Sequence, residues 1–274
     1  MLIHLGFDLE FEMLAPTPIV AMLQVYQTRR ADLVAPDELH LEPAVSIDSY
    51  QDSFGNGCAR LLAPVGSLRM KSDFLIRDTG DPDRVDWNAI EHPVQDLPSE
   101  TLQFLLNSRY CEVDRFSNLA FELFGNSLRG WGRVQAVCDW VHAKVEFGYH
   151  HARSTKTAMD VYTERVGVCR DFQHLAITFC RALNIPARYA TGYLPDIDIP
   201  PSASPMDFSA WFEVYLGGQW YTFDARHNRP RIGRVLMAVG RDASDVAITT
   251  SFGRADLKRF VVVSEEVPDN SFAR

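Results

Sequence analysis

The first ninety-odd residues alternate. Ile3, Leu5, Phe7, Leu9 and Phe11 interleave with Leu2, His4, Gly6, Asp8 and Glu10, and a period of two predicts a half-buried strand. Further short candidate strands follow at 19–26, 39–41, 45–50, 58–63 and 67–76, with a strong turn signal at Gln51-Asp52-Ser53-Phe54-Gly55-Asn56-Gly57. Strands of this length and spacing predict a β-sandwich. Between residues 81 and 98 the pattern breaks at Asp81-Pro82-Asp83, His92-Pro93 and Leu97-Pro98. A domain boundary is expected there, giving a β-rich domain over 1–95 and a second domain over 96–274.

Past the boundary the period lengthens. Helices are predicted over 99–108, 118–124, 130–145 and 157–165. Another starts near Cys169, where Phe172, Leu175, Ala176, Phe179 and Leu183 recur at helical spacing until Asn184 and Pro186 stop the run. A strand at 187–193 leads into a proline-rich loop at 195–205, a rim or lid by its length. Residues 210–216 and 219–224 form two strands joined by Gly217-Gly218, a two-residue hairpin signal. Only a short apolar stretch, 235–239, stands out in 229–253, and 260–263 reads as a final strand.

Composition narrows the function classes. Of 274 residues 46% are hydrophobic and 23% charged, enough to bury a sizeable core. A net charge of −9 without a basic run argues against nucleic acid and anionic membrane as partners. No apolar stretch approaches a membrane span, and 1–10 lacks the basic start and apolar core of a signal peptide. The expected compartment is the cytoplasm. Five cysteines (58, 111, 138, 169 and 180) with no C-x-x-C pair indicate neither a disulfide framework nor a structural zinc site. Tyr149-His150-His151 is followed at ligand spacing only by Asp160, so no metal site is predicted, and no cofactor is implied.

One stretch carries chemistry. In Gly167-Val168-Cys169-Arg170-Asp171 the cysteine stands at a helix start, where the helix dipole favours the reactive thiolate. The two-residue hairpin sets a register in which Leu216 opposes Gln219, Trp211 opposes Asp224 and Ser209 opposes Arg226. Ser209, Trp211 and Glu213 then share a face with Thr222, Asp224 and Arg226. Ser209 and Asp224 become diagonal neighbours, roughly 7–8 Å apart.

Five blocks in this order and spacing resemble the transglutaminase-like superfamily: Gly167-Val168-Cys169-Arg170-Asp171, 183–188, Gly192-Tyr193, Ala210-Trp211-Phe212-Glu213-Val214 and Trp220-Tyr221-Thr222-Phe223-Asp224. The first ninety residues, including Leu41-Glu42-Pro43 and Asp52-Ser53-Phe54-Gly55-Asn56, are similar to the β-rich N-terminal domain of its bacterial cysteine-protease-like members. The resemblance implies an α+β fold, with an N-terminal β-sandwich followed by a papain-like, transglutaminase-like domain of helices on an antiparallel sheet. It implies acyl transfer through a thioester, with Cys169 as nucleophile, Asp224 as orienting acid, Trp211 lining the site, and a peptide or protein as substrate. Calcium serves some members, but no acidic loop of calcium-ligand spacing is present.

The family places a histidine directly before Ala-Trp, where this chain has Ser209. A hydroxyl is a far poorer proton acceptor than imidazole. His227, three residues after Asp224, is the first substitute, provided the strand turns after Asp224. His150 or His151 come next, and His174, about 140° around the helix from Cys169, comes last. Two classes therefore stay open: a cysteine peptidase, amidase or acyltransferase, expected to carry a thiol of depressed pKa at Cys169, and a catalytically impaired peptide- or protein-binding module.

Overall fold

The computed structural model describes residues 1–200 and 205–267. In chain order, six strands come first: β1 Leu2–Met13, β2 Thr17–Ala21, β3 His40–Glu42, β4 Ile47–Gln51, β5 Gly57–Ala63 and β6 Gly66–Arg77. Then come helices α1 Ser117–Phe124 and α2 Trp131–Lys144, strand β7 Glu146–Phe147, helix α3 Ala158–Glu164, strand β8 Val166–Gly167 and helix α4 Cys169–Ala182. Strands β9 Ala187–Tyr193, β10 Ser209–Leu216, β11 Gln219–Phe223, β12 Val235–Gly240, β13 Thr249–Ser251 and β14 Ala255–Val267 complete the described chain.

The N-terminal strands form two four-stranded sheets, ordered β14-β1-β6-β3 and β13-β2-β5-β4. The alternation of β1 sends Ile3, Leu5, Phe7 and Leu9 into a core shared with Ile19, Ala21, Leu61 and Ala63 of the other sheet. Both sheets are completed by the C-terminus. Strand β14 runs antiparallel along β1 from Leu2↔Val267 to Met13↔Ala255, and β13 pairs with β2. The expected second domain over 96–274 is corrected accordingly: 249–267 belongs to the N-terminal sheets. Each backbone edge of β1 needs a hydrogen-bonding partner, and β6 supplies only one. The predicted strand at 260–263 was too short because most of β14 faces outward and shows little apolar alternation.

Strands β7 and β8 form a two-stranded parallel pair, and a third four-stranded sheet is ordered β11-β10-β9-β12. Helix α4 lies on one face, where Phe172, Leu175, Ala176 and Phe179 pack with Phe212, Val214, Tyr221 and Phe223. Helices α1, α2 and α3 pack around α4, so it is buried along almost its whole length. It ends where expected, with Asn184 in the left-handed region at φ 63°. The predicted helix over 99–108 is instead a 3₁₀ segment, Ser99–Leu105. Strand β12, hidden in the poorly patterned 229–253, pairs with β9 and closes the sheet.

The hairpin has the expected register: Leu216 faces Gln219 and Phe212 faces Phe223. Gly217 and Gly218 both have positive φ, 56° and 87°, which a two-residue turn of this hand requires. The ladder stops at Phe223. The expected pairs Trp211–Asp224 and Ser209–Arg226 do not form, because the chain turns away at Asp224. No helix among the described residues is long and apolar enough to cross a membrane.

Candidate active site

Cys169 is the first residue of α4. Val168 before it has no side-chain acceptor, and the first turn is closed from within when the Val168 N–H donates to the Asp171 carboxylate at 3.0 Å. That carboxylate also receives the Arg170 guanidinium at 3.0 and 3.1 Å. Gly167 is needed here, since a Cβ would stand 2.7 Å from the Asp171 Cβ. The helix start therefore rests on a fixed carboxylate, with the cysteine at its tip.

The Cys169 thiol is half-buried, whereas the other four cysteines are buried. It opens into a cleft of about 140 Å³ lined, among others, by Tyr149, Asp207, Ser209, Arg226, His227 and Arg231. Burial pushes the thiol up to about 11, and Asp207 and Asp224 add to that push. Arg226 and the Arg170 N–H act in the opposite direction. The expectation of a depressed pKa is corrected: desolvation outweighs the Arg226 charge and the Arg170 N–H.

Asp224 lies behind the cleft, 5% exposed, and its carboxylate gathers five donors. Oδ1 accepts from Gln173 Nε2 at 3.0 Å, the Arg226 N–H at 3.0 Å and the His227 N–H at 3.1 Å. Oδ2 accepts from His227 Nδ1 at 2.8 Å and Arg234 Nη2 at 3.0 Å. Burial works to raise its pKa, but the Arg234 charge and the bonds from His227 prevail and hold the carboxyl well below the usual range. An ionised carboxylate only accepts, so His227 Nδ1 carries a proton, and in the neutral ring the lone pair is on Nε2.

These bonds also explain the turn. By taking the N–H groups of Arg226 and His227, the Asp224 carboxylate wraps the chain around itself. The Asn228 N–H then donates to the Asp224 carbonyl at 2.8 Å, with Asn228 at φ 51°. Aspartate side chains hold local turns in this way, and asparagine tolerates left-handed backbone. His227, whose strand parity was wrong, is thereby brought onto the acid and into the cleft with Cys169. Among the described residues, no hydrogen bond joins the Cys169 sulfur to the imidazole.

The other sequence candidates separate. Ser209 lines the cleft, paired with Gly192 of β9 rather than with β11. Trp211, expected to line the site, is corrected: it is 2% exposed and packs with Tyr26, Ala190 and Val239 on the opposite face of the sheet. Its ring lies under the Arg234 guanidinium at 5.1 Å. Alternation along β10 sends it there, because α4 occupies the other face. His174 is buried in the core, where Nε2 accepts the Ala243 N–H at 3.1 Å and the ring stacks on Tyr110. His150 and His151 sit in a 3₁₀ turn after β7 and do not line the cleft, although their neighbour Tyr149 does. Residues 201–204 of the expected loop lie outside the described residues, while Ile199, Pro200 and Pro205 border the cleft. Among the described residues no cluster of metal-ligating side chains occurs.

Several site residues went unread in the sequence. Gln173, one helical turn beyond Cys169, donates to Asp224 and to the Ala210 carbonyl at 3.2 Å, and its Oε1 accepts the Ala225 N–H at 3.1 Å. Its i+4 spacing from Cys169 was a usable signal. Arg234 bridges Asp224 to Asp83, at 2.8 Å from Nε, and nothing local announces it.

Known proteins agree with this architecture. The sequence model of the Transglutaminase-like superfamily matches residues 117–225. A candidate cysteine protease from Cytophaga hutchinsonii, solved by crystallography, superposes with a TM-score of 0.82 at 32% identity, over 97% of this chain and 90% of that one. The chain belongs to the transglutaminase-like superfamily. An uncharacterized protein of Mycobacterium leprae is 30% identical over 138 residues, 48% of this chain and 49% of the relative. The matched region thus spans about half the length of that curated relative. The family match ends at residue 225, two residues short of His227.

Proposed function

We propose that the protein is a cysteine-dependent peptidase, amidase or acyltransferase whose triad is Cys169, His227 and Asp224. The base has moved from the strand position held by Ser209 to the turn after β11. The observation that carries this reading is the 2.8 Å bond from His227 Nδ1 to Asp224 Oδ2, made by an imidazole that lines the same cleft as Cys169. It supplies the base and orienting acid that a thiol nucleophile requires.

In this mechanism His227 Nε2 takes the Cys169 proton as the sulfur attacks an amide carbonyl. The imidazolium, stabilised by Asp224, then gives that proton to the departing amine and leaves a thioester on Cys169. Water or a second amine attacks the thioester and regenerates the thiol. The N–H at the start of α4, with no intrahelical acceptor, offers a donor to the oxyanion. A cleft of this kind suits an extended peptide or a protein side chain as acyl donor. The cytoplasm is the proposed compartment, where the five free cysteines would stay reduced.

The raised thiol pKa and the serine at 209 favour a second reading, a peptide-binding module without turnover. A panel of fluorogenic amide and amine-acceptor substrates separates the two. The enzyme reading expects turnover that is lost in Cys169→Ala and His227→Gln and kept in Ser209→Ala. Peptide binding undiminished in Cys169→Ala, with no turnover by the unsubstituted chain on any substrate, would establish the module instead.

A further inference from the structure

A thiolate in a half-buried cleft needs a positive charge nearby. In an ordinary cysteine–histidine pair the imidazolium supplies it. Here His227 is tied through Nδ1 to Asp224 and makes no hydrogen bond to the sulfur, and a base that is to accept a proton must be neutral beforehand. The charge has to come from another group.

The same turn that places His227 also places Arg226. Its guanidinium lies 3.8 Å from the centroid of the Phe147 ring. That ring is itself braced by Tyr149 at 5.2 Å and, from α4, by Phe172 at 6.4 Å. Among the described residues no carboxylate stands within ion-pair distance of Arg226, although its charge is felt by Asp207 in the same cleft. Its carbonyl is fixed by His142 Nδ1–H at 2.8 Å. The other cleft arginine, Arg231, is committed to the Pro195 carbonyl at 2.9 Å and to Asp196 at 3.6 Å. Arg170 is committed to Asp171. Facing the sulfur with the opposite sign are Asp207, from the segment before β10, and Asp224, while Tyr149 and Tyr189 stand near it as neutral phenols.

We propose that Arg226 favours the Cys169 thiolate and so sets the ionised fraction of the free thiol, while His227 takes the thiol proton only once substrate is bound. This rests on Cys169 being the nucleophile. Arg226 and Cys169 line the same cleft, and the Arg226 charge works there toward the thiolate.

The test is the rate at which iodoacetamide alkylates Cys169 in the full folded chain, followed by peptide mass spectrometry between pH 7 and 9. The buried cysteines give a slow background, which Cys169→Ala measures. Arg226→Gln is expected to slow alkylation about tenfold across this range, the effect of removing one neighbouring charge. Arg226→Lys, which keeps charge and stem, is expected to restore the rate to within about twofold. His227→Gln is expected to leave alkylation unchanged while removing turnover. The proposal is overturned if Arg226→Gln alkylates like the parent, if Arg226→Lys is as slow as Arg226→Gln, or if His227→Gln slows alkylation as much as Arg226→Gln. Because alkylation needs no substrate, these outcomes are independent of whether amide turnover is found.

Discussion

Two ends of one hairpin behave differently. On β10 the chain follows strand periodicity into position 209, and the residue there is a serine. After β11 the chain abandons the ladder at Asp224, wraps around that carboxylate, and delivers an imidazole. The regular segment keeps the family's backbone with a serine at the histidine position, and the irregular one brings an imidazole to the cleft by bending. A catalytic group is defined by where its atoms arrive, and a five-residue turn can move that arrival from one strand to its neighbour.

The largest effect expected from this comparison is at His227. His227→Ala should lower kcat/KM on an amide substrate by about 10³-fold or more, in line with the loss of other triad bases, with melting temperature little changed. Restoring the family pattern in that background, as Ser209→His with His227→Ala, sharpens the comparison. If the turn is the working position, the double variant recovers little, because Asp224 remains bonded toward residue 227. Recovery to near parental activity would show that the two positions are interchangeable and would break the contrast. Asp224→Asn should cost about 10²–10⁴-fold in kcat. It should also loosen the turn, since it replaces a carboxylate accepting five hydrogen bonds, and thermal unfolding measures that second effect.

A smaller effect concerns pH. With the thiol pushed up to about 11, alkylation of Cys169 in the free protein should rise about tenfold per pH unit from 7 to 10, where a thiol of ordinary pKa would level off near 9. A plateau below pH 9 would contradict the burial seen here. His174 provides a control away from the cleft. Burial lowers its pKa from 6.5 to about 3, only partly offset by the charge of Asp242. The folded state thus prefers the neutral ring. Its contribution is whole above pH 6.5 and is lost as pH falls from 6.5 toward 3, at up to about 1.4 kcal/mol per pH unit. Chemical denaturation of the parent and His174→Gln across that range should show the dependence in the parent and its loss in the variant. Ser209→Ala should be the mildest change, less than about threefold in kcat/KM, because Thr191 bonds the Ser209 carbonyl, which the substitution keeps.

The sequence made the regular parts of this site legible. Helical spacing after Cys169, the glycine pair at 217–218 and the alternation on either side lead to the right helix, hairpin and register. They did not lead to Trp211, which alternation put beside Asp224 although the sheet has a second covered face. Nor did they reveal the route of Asp224, whose side chain overrides strand continuation through bonds to its own downstream N–H groups. The cues for that turn, Asp224, Asn228 and Pro230 in close succession, are ordinary turn residues. Arg234 and Asp83 meet across the molecule, and the end of the chain pairs with its beginning. Both are long-range events that local periodicity does not encode.

That pairing also sets an order of events during synthesis. Strand β1 is synthesised roughly 240 residues before its partner β14, which pairs with it from Leu2↔Val267 to Met13↔Ala255. The segment bearing Cys169 and His227 is therefore complete while the sheet at the start of the chain still has an open edge. A stalled or truncated product lacking 255–267 would expose one backbone edge of β1 as a template for another chain, so β14 seals that sheet only after the cleft-bearing segment has been made.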